Sequence, residues 1–114
     1  APALVLLLAL TACGPGSRQV AMQTSLRALN TARDGFTAWD GAQQERIVDR
    51  ATSLEDGRAQ LAAHRDRRDR VVQGFIAAYA ALALAALDPT LANLAAAAAE
   101  AKKVYDAVRA IGGP

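Results

Sequence analysis

The sequence has few of the residues that catalysis, metal binding or covalent cross-linking require. It contains one cysteine and one histidine among 114 residues, which excludes an internal disulfide and a histidine-rich metal site. No Gly-x-Ser-x-Gly and no phosphate-cradling glycine loop occur, and the serines have no partnered base near them in the sequence. We therefore expect no enzymatic activity, no cofactor and no metal.

Aromatic residues and charge of one sign are also scarce. Aromatics make up 4% of the chain, and 13 basic against 11 acidic residues leave a formal net charge of +2. This near balance gives no strong attraction to nucleic acid, so we expect no nucleic-acid partner. The chain is 53% hydrophobic, but much of that fraction is alanine, which favours closely packed helices over a β-sandwich. The length allows one domain with a modest core.

The first part of the chain is an apolar leader that ends near Cys13. Residues 3–10 carry no charge, and the uncharged stretch continues to Cys13 before the Gly/Pro/Ser segment 14–17. A helix needs about 20 apolar residues to span a bilayer, so this run is too short. It matches the apolar region of a signal peptide, which is about 7–15 residues long. We interpret 1–12 as a signal peptide, and we expect its first, positively charged residues to be missing from the sequence.

The four residues Leu10, Thr11, Ala12 and Cys13 resemble the lipobox of bacterial lipoproteins. The resemblance implies that the Cys13 thiol receives a diacylglycerol group, that cleavage makes Cys13 the mature N-terminus, and that a further acyl chain such as palmitate is attached there. Two or three acyl chains, at roughly 0.8 kcal/mol per buried methylene, hold a small protein on a bilayer. Segment 13–17 would then be the lipidated cysteine and a flexible tether. The alternative is an unmodified cysteine after an apolar helix.

The lipobox also carries expectations about location. We expect a lipid-anchored protein of the cell membrane. In a Gram-negative source, the lack of aspartate after Cys13 is similar to lipoproteins of the outer membrane, facing the periplasm or the surface. The mature part resembles small uncharacterised helical lipoproteins of bacteria and their phages, and it indicates no named family.

Three amphipathic segments follow the leader, and they predict helices at about 18–51, 54–87 and 89–111, with a short tail at 112–114. In each segment, apolar residues recur at steps of three or four, as on one face of a helix. The predicted inner faces include Leu26 on the first helix, Leu54, Val72 and Ala86 on the second, and Leu91 on the third. Short turns imply antiparallel neighbours. The predicted fold is all-α: an up-down-up bundle of two long helices and a shorter third.

Polar residues at the turns predict how the helices begin. Ser53 can cap the second helix, because acidic residues at positions 55 and 56 suit a helix N-terminus. Asp88 and Pro89 predict the start of the third helix, with aspartate as the cap and proline at the first helical position. Glycine at position 41 predicts a kink or break in the first helix.

A charged stretch in the middle of the second helix supplies the candidate site. An antiparallel hairpin in which position i faces roughly position 105 − i places Asp40 opposite Arg65. We predict that Asp40 pairs with Arg65 or Arg68 beside Trp39, and that an arginine stacks on the indole. The alternative is an anion or phosphate site built from the arginines. The alternation of aspartate with arginine favours a structural ion pair.

These expectations lead to two hypotheses about function. The first is a structural or protein-interaction module of the cell envelope, whose hairpin tip at 43–61 binds an envelope protein or a second copy. The second is a membrane-active, holin-like protein with a transmembrane hairpin around 71–99, because 71–87 contains only Gln73 as a clearly polar residue. A helix buried between two neighbours explains the same apolar run, which favours the first hypothesis.

Overall fold

The computed structural model describes residues 15–111, with side chains from residue 18 onward. The predicted signal peptide, Cys13 and the tail 112–114 lie outside these residues. Three helices are present: α1 (Pro15–Arg50), α2 (Leu54–Leu87) and α3 (Leu91–Ala110). Each packs against both others, in a body of 59 × 21 × 16 Å. The predicted all-α three-helix bundle is confirmed.

Helix α1 begins earlier than predicted and is continuous. Its first residue is Pro15, a favoured choice because the first helical N–H needs no partner and proline has none. Residues 15–17, which the sequence assigns to a flexible tether over 13–17, are helical. The helix also continues through Gly41, where a kink or break was predicted. A Cβ added at Gly41 would have no atom within 4 Å, so close packing does not explain the glycine at this position.

The turn between α1 and α2 is held by reciprocal side-chain contacts. The Ser53 hydroxyl accepts a hydrogen bond from the Asp56 backbone N–H at 3.0 Å, so the predicted cap is confirmed. The Asp56 carboxylate accepts from the Thr52 backbone N–H at 3.0 Å and from Gln60 Nε2 at 2.9 Å. The Thr52 N–H, and then the Gln60 amide, hold the pKa of Asp56 below its ordinary value of 3.8.

This lowered pKa predicts a pH-dependent contribution of Asp56 to stability. Since the folded state favours the ionised carboxylate, the contribution is present above about pH 4 and is lost as the pH falls through the lowered pKa. We expect Asp56→Asn to be less stable than wild type in urea unfolding at pH 7, with the difference shrinking below about pH 4. Asp66→Asn, an exposed change farther along α2, is the control. A difference that stays constant across this range would contradict the assignment.

The turn between α2 and α3 uses a different cap from the predicted one. Thr90 caps α3, and its hydroxyl accepts from the Asn93 backbone N–H at 3.1 Å. Asp88 instead ends α2, with its N–H donating to the Leu84 carbonyl at 2.9 Å. The prediction of Asp88 as N-cap was wrong because the Thr90 side chain, on extended backbone, reaches the N–H three residues ahead. Consequently α3 begins at Leu91, and Pro89 lies between the helices.

The core follows a regular alternation of steps of four and three residues. On α2 and α3 this spacing is the one found where helices pack along a seam, as in coiled coils. Many of the buried positions are alanine, and Ala78 and Ala85 are 0% exposed. The buried residues in this spacing are Val71, Phe75, Ala78, Leu82 and Ala85 on α2, and Leu94, Ala97, Ala101, Val104 and Val108 on α3.

Small residues let α2 and α3 approach closely. A Cβ added at Gly74 would lie 3.1 Å from Val104 Cγ2, a distance tighter than most such contacts. Sequence reasoning placed the larger apolar residues in the core, and for several of them this was wrong. The residues of the predicted inner faces that are exposed in the structure are Leu26, Leu54, Val72, Ala86 and Leu91.

Helix α3 is too short to cover the whole hairpin. Gly74 lies level with Val104, and the two helices are antiparallel. The end of α3 at Ala110 is therefore level with about residue 68 of α2, because both helices rise by about 1.5 Å per residue. The hairpin tip, residues 43–61, extends beyond this level. Within the described chain, the tip consists of α1 and α2, with Ile47 buried between them.

Candidate functional site

The most buried polar contact joins α1 to α2 in the middle of the bundle. Asp40 Oδ1 lies 2.6 Å from His64 Nε2, and the His64 side chain is only 3% exposed. The His64 ring lies 5.2 Å from the Trp39 ring, centroid to centroid. Trp39, Asp40 and His64 therefore form one cluster, in which the carboxylate orients the imidazole against the indole.

This cluster corrects the predicted ion pair. The partner of Asp40 is His64, and neither Arg65 nor Arg68 pairs with it in the described part of the chain. Arg65 is exposed, and Arg68 lies near Asp69 of its own helix, with Nη2 3.5 Å from Oδ1. At Asp40 the predicted register is off by one residue, and it is further off along the hairpin, where Phe36 lies beside Phe75 and Asn30 beside Tyr79. The physical reason is that a guanidinium is always charged and is costly to bury, whereas an imidazole can be buried in its neutral form.

A signal for His64 was present in the sequence. Position 64 lies seven residues before Val71, so it belongs to the same spacing that marks the buried face of α2. A sole histidine indicates no histidine-rich metal site, and the predicted ion pair does not include it. No group of three or more potential metal ligands exists among the described residues.

An aromatic row continues from the cluster toward the end of the bundle where α1 begins. The Trp39 and Phe36 rings are 5.8 Å apart, Phe36 and Phe75 are 5.9 Å apart, and Phe75 and Tyr79 are 6.4 Å apart. Tyr79 closes the row by donating its hydroxyl to Asn30 Oδ1 at 2.6 Å. The row crosses from α1 to α2 at the contact between Phe36 and Phe75, and this contact helps to fix the register of the two helices.

A small cleft borders the cluster on the side of the arginines. It is lined by Gln44, Leu61, His64, Arg65 and Arg68. His64 Nδ1 is buried and has no hydrogen-bond partner among the described residues. An anion held by Arg65 and Arg68, the alternative to the ion pair, would bind in this cleft.

A second surface lies at the end of the bundle where α1 begins and α2 meets α3. Arg18 Nη1 donates to the Pro89 carbonyl at 3.2 Å, so the start of α1 lies beside the α2–α3 turn. Four large apolar side chains are exposed near this turn. We call them the apolar end: Val20 (57% exposed), Leu84 (54%), Leu87 (86%) and Leu91 (51%).

With this geometry established, the chain was compared with known proteins. No family model, curated protein or solved structure matches it.

The apolar run of α2 is largely on the outside of the bundle. Helix α2 contains an 18-residue stretch long and apolar enough to cross a membrane, and only 28% of that stretch is buried. It is the one helix with this property among the described residues. Burial of α2 between α1 and α3 is the explanation that the sequence favours for this run. For most of the run that explanation is wrong, because most of its residues are not buried. The outer face carries Val72, Ile76, Ala80, Ala83 and Leu87.

Proposed function

We propose that this chain is a lipid-anchored structural or protein-interaction module of a bacterial cell envelope, attached to the membrane through Cys13. The observation that carries the proposal is the apolar run followed by Leu10, Thr11, Ala12 and Cys13, placed directly ahead of a helical bundle. Since α1 begins at Pro15, only Gly14 separates the acylated residue from the first residue of the helix.

The shape of the bundle supports a role at a distance from the membrane. Helix α1 has 36 residues and is therefore about 54 Å long at 1.5 Å per residue. An anchor at its start leaves the hairpin tip, residues 43–61, at the opposite end. A module of this kind presents one end to the bilayer and the other to the surrounding compartment.

The hairpin tip has the composition of a contact surface. Val48 and Leu54 are large, apolar and mostly exposed, and they are surrounded by charged residues. An apolar centre with a polar rim is typical of protein interfaces. We propose that the tip binds an envelope protein or a second copy of this chain. One groove lies on the tip and is lined by Gln44, Glu45, Val48, Asp49 and Leu61. A second begins on the tip and extends past it along α2; it is lined by Gln43, Arg46, Ile47, Arg50, Gln60, Ala63 and Arg67.

Substitution of Cys13 tests the anchor. When the chain is expressed in bacteria with a complete leader, we expect labelled palmitate to enter the wild type and not Cys13→Ser, because serine has no thiol to accept diacylglycerol. Ser17→Ala is the matched control and should label like wild type. Mass spectrometry of the N-terminal peptide should find the acyl chains on Cys13. A wild-type chain without label, or with a different mature N-terminus, would contradict the proposal.

The exposed apolar face of α2 favours a second candidate, a membrane-active protein with a transmembrane hairpin around 71–99. Against it, α3 does not pass the same length and composition test, and a hairpin needs two spanning segments. The Cys13→Ser variant distinguishes the candidates when it is secreted through an ordinary cleavable leader. Its release from membranes by alkaline carbonate would contradict the transmembrane hairpin, whereas retention would favour it.

A further inference from the structure

The apolar end exposes four large apolar side chains to solvent. Leu87 and Leu91 flank the α2–α3 turn, and Leu87 is the most exposed large apolar residue of the described chain. Neither side chain is needed to close the turn, which is held by the Thr90 hydroxyl and by the Asp88 carbonyl accepting from Asn93 Nδ2 at 2.8 Å. Large exposed apolar groups gathered at one place mark a contact surface.

The length of chain ahead of α1 indicates what covers this surface. Cys13 precedes Pro15 by two residues, a reach of at most about 7 Å. The hydrogen bond from Arg18 to the Pro89 carbonyl holds the start of α1 against the α2–α3 turn. Acyl chains on Cys13 would therefore enter the bilayer beside Leu87 and Leu91, without a tether long enough to move the bundle away.

We propose that the apolar end is a bilayer-contact surface, with Leu87 and Leu91 inserted among the lipid headgroups and upper acyl chains while the bundle stands on the membrane. The inference rests on the proposed anchor at Cys13. Apolar side chains that enter the interface add to the binding given by acyl chains. They also set orientation, because an anchor on a single residue leaves the body free to tilt. Leucines inserted on both sides of the adjoining turn keep the axis of α1 close to the membrane normal and direct the hairpin tip away from the lipid.

Single tryptophans test the depth of each end. In a Trp39→Phe background, we place tryptophan at Leu87, Ile76 or Val48, and reconstitute the lipidated full chain in phosphatidylcholine vesicles with or without brominated acyl chains. Since interfacial side chains lie about 5–10 Å into the boundary, we expect at least about a twofold loss of emission for Leu87→Trp. Ile76→Trp should lose much less, and Val48→Trp on the hairpin tip should be unaffected.

The outcomes separate this inference from the anchor itself. The intact mass of each sample is measured first, and an unlipidated wild type would defeat the proposed function before any quenching is scored. In lipidated samples, unquenched Leu87→Trp would overturn the inference and leave the anchor standing. A blue-shifted but unquenched Leu87→Trp would show a protein cover, such as a second copy. Equal quenching at Ile76 and Leu87 would show a bundle lying flat, which also overturns the proposed orientation.

Discussion

Replacement of Phe75 by alanine is expected to lower the free energy of unfolding by about 3–5 kcal/mol. Phe75 is buried and lies between Phe36 and Tyr79 in the aromatic row. It is one of few large side chains in a core rich in alanine, so its neighbours cannot rearrange to fill the space that it leaves. The cavity therefore adds to the lost burial of the ring. Urea unfolding followed by far-UV circular dichroism measures the change.

Two substitutions serve as controls for this result. Phe75→Leu keeps most of the volume and should cost less than about 1.5 kcal/mol. Ile76→Ala changes the next residue, which is more than half exposed, and should stay within about 0.5 kcal/mol of wild type. If Phe75→Ala and Ile76→Ala were equally destabilising, the assignment of the inner and outer faces of α2 would be wrong.

Removal of the Asp40 carboxylate is expected to cost about 2–3 kcal/mol. Asp40→Ala leaves His64 buried with both ring nitrogens unpartnered in the described structure, since its Nδ1 already has no partner. A buried polar group without a hydrogen bond carries the full penalty of losing its water. The double variant Asp40→Leu, His64→Leu removes both members of the pair and should be closer to wild type than the sum of the two single leucine variants.

The arginines provide the matched control for this pair. Arg65→Gln and Arg68→Gln should each change the free energy of unfolding by less than about 0.5 kcal/mol, because Arg65 is exposed and the ion pair of Arg68 is with a solvated carboxylate, that of Asp69. Urea unfolding of all the variants in one buffer gives the free energies from which the coupling between Asp40 and His64 is calculated. A loss at Arg65 or Arg68 as large as that of Asp40→Ala would favour the originally predicted ion pair.

The helices were predictable because the sequence marks their ends. Helix α2 spans the predicted range 54–87, since Ser53 is a strong cap and the aspartate and proline after Leu87 stop the helix. The bundle topology followed from the short turns. The start of α3 was misplaced because Asp88 and Thr90 are both capping residues, and only the backbone conformation at Thr90 decides between them.

The core was harder to predict because alanine fits both faces of a helix. Between positions 71 and 87 nearly every residue is apolar, so hydrophobic periodicity does not distinguish the inner face from the outer one. The predicted inner face of α2 includes Val72 and Ala86, whereas the structure buries their neighbours Val71 and Ala85. Which face of α2 is buried depends on how closely the helices approach one another, and the sequence of a single helix does not show this.

The candidate site was predictable in part. Trp39 and Asp40 were identified, and both belong to the cluster. Their partner was missed because a shift of one residue in a simple pairing rule exchanges His64 for Arg65, and adjacent positions on a helix point about 100° apart. The exposed surface beside the α2–α3 turn was not predictable, since leucines at 84, 87 and 91 look like core residues in sequence.

The alanines between α2 and α3 have a consequence for how firmly the third helix is positioned. Alanine side chains project little, so a seam built from them offers weak resistance to sliding along the helix axis. The polar side-chain contacts between helices in the described chain, Asn30 with Tyr79 and Asp40 with His64, join α1 to α2. The position of α3 along α2 is therefore restricted mainly by the short connection at 88–90 and by the packing of Val104 over Gly74.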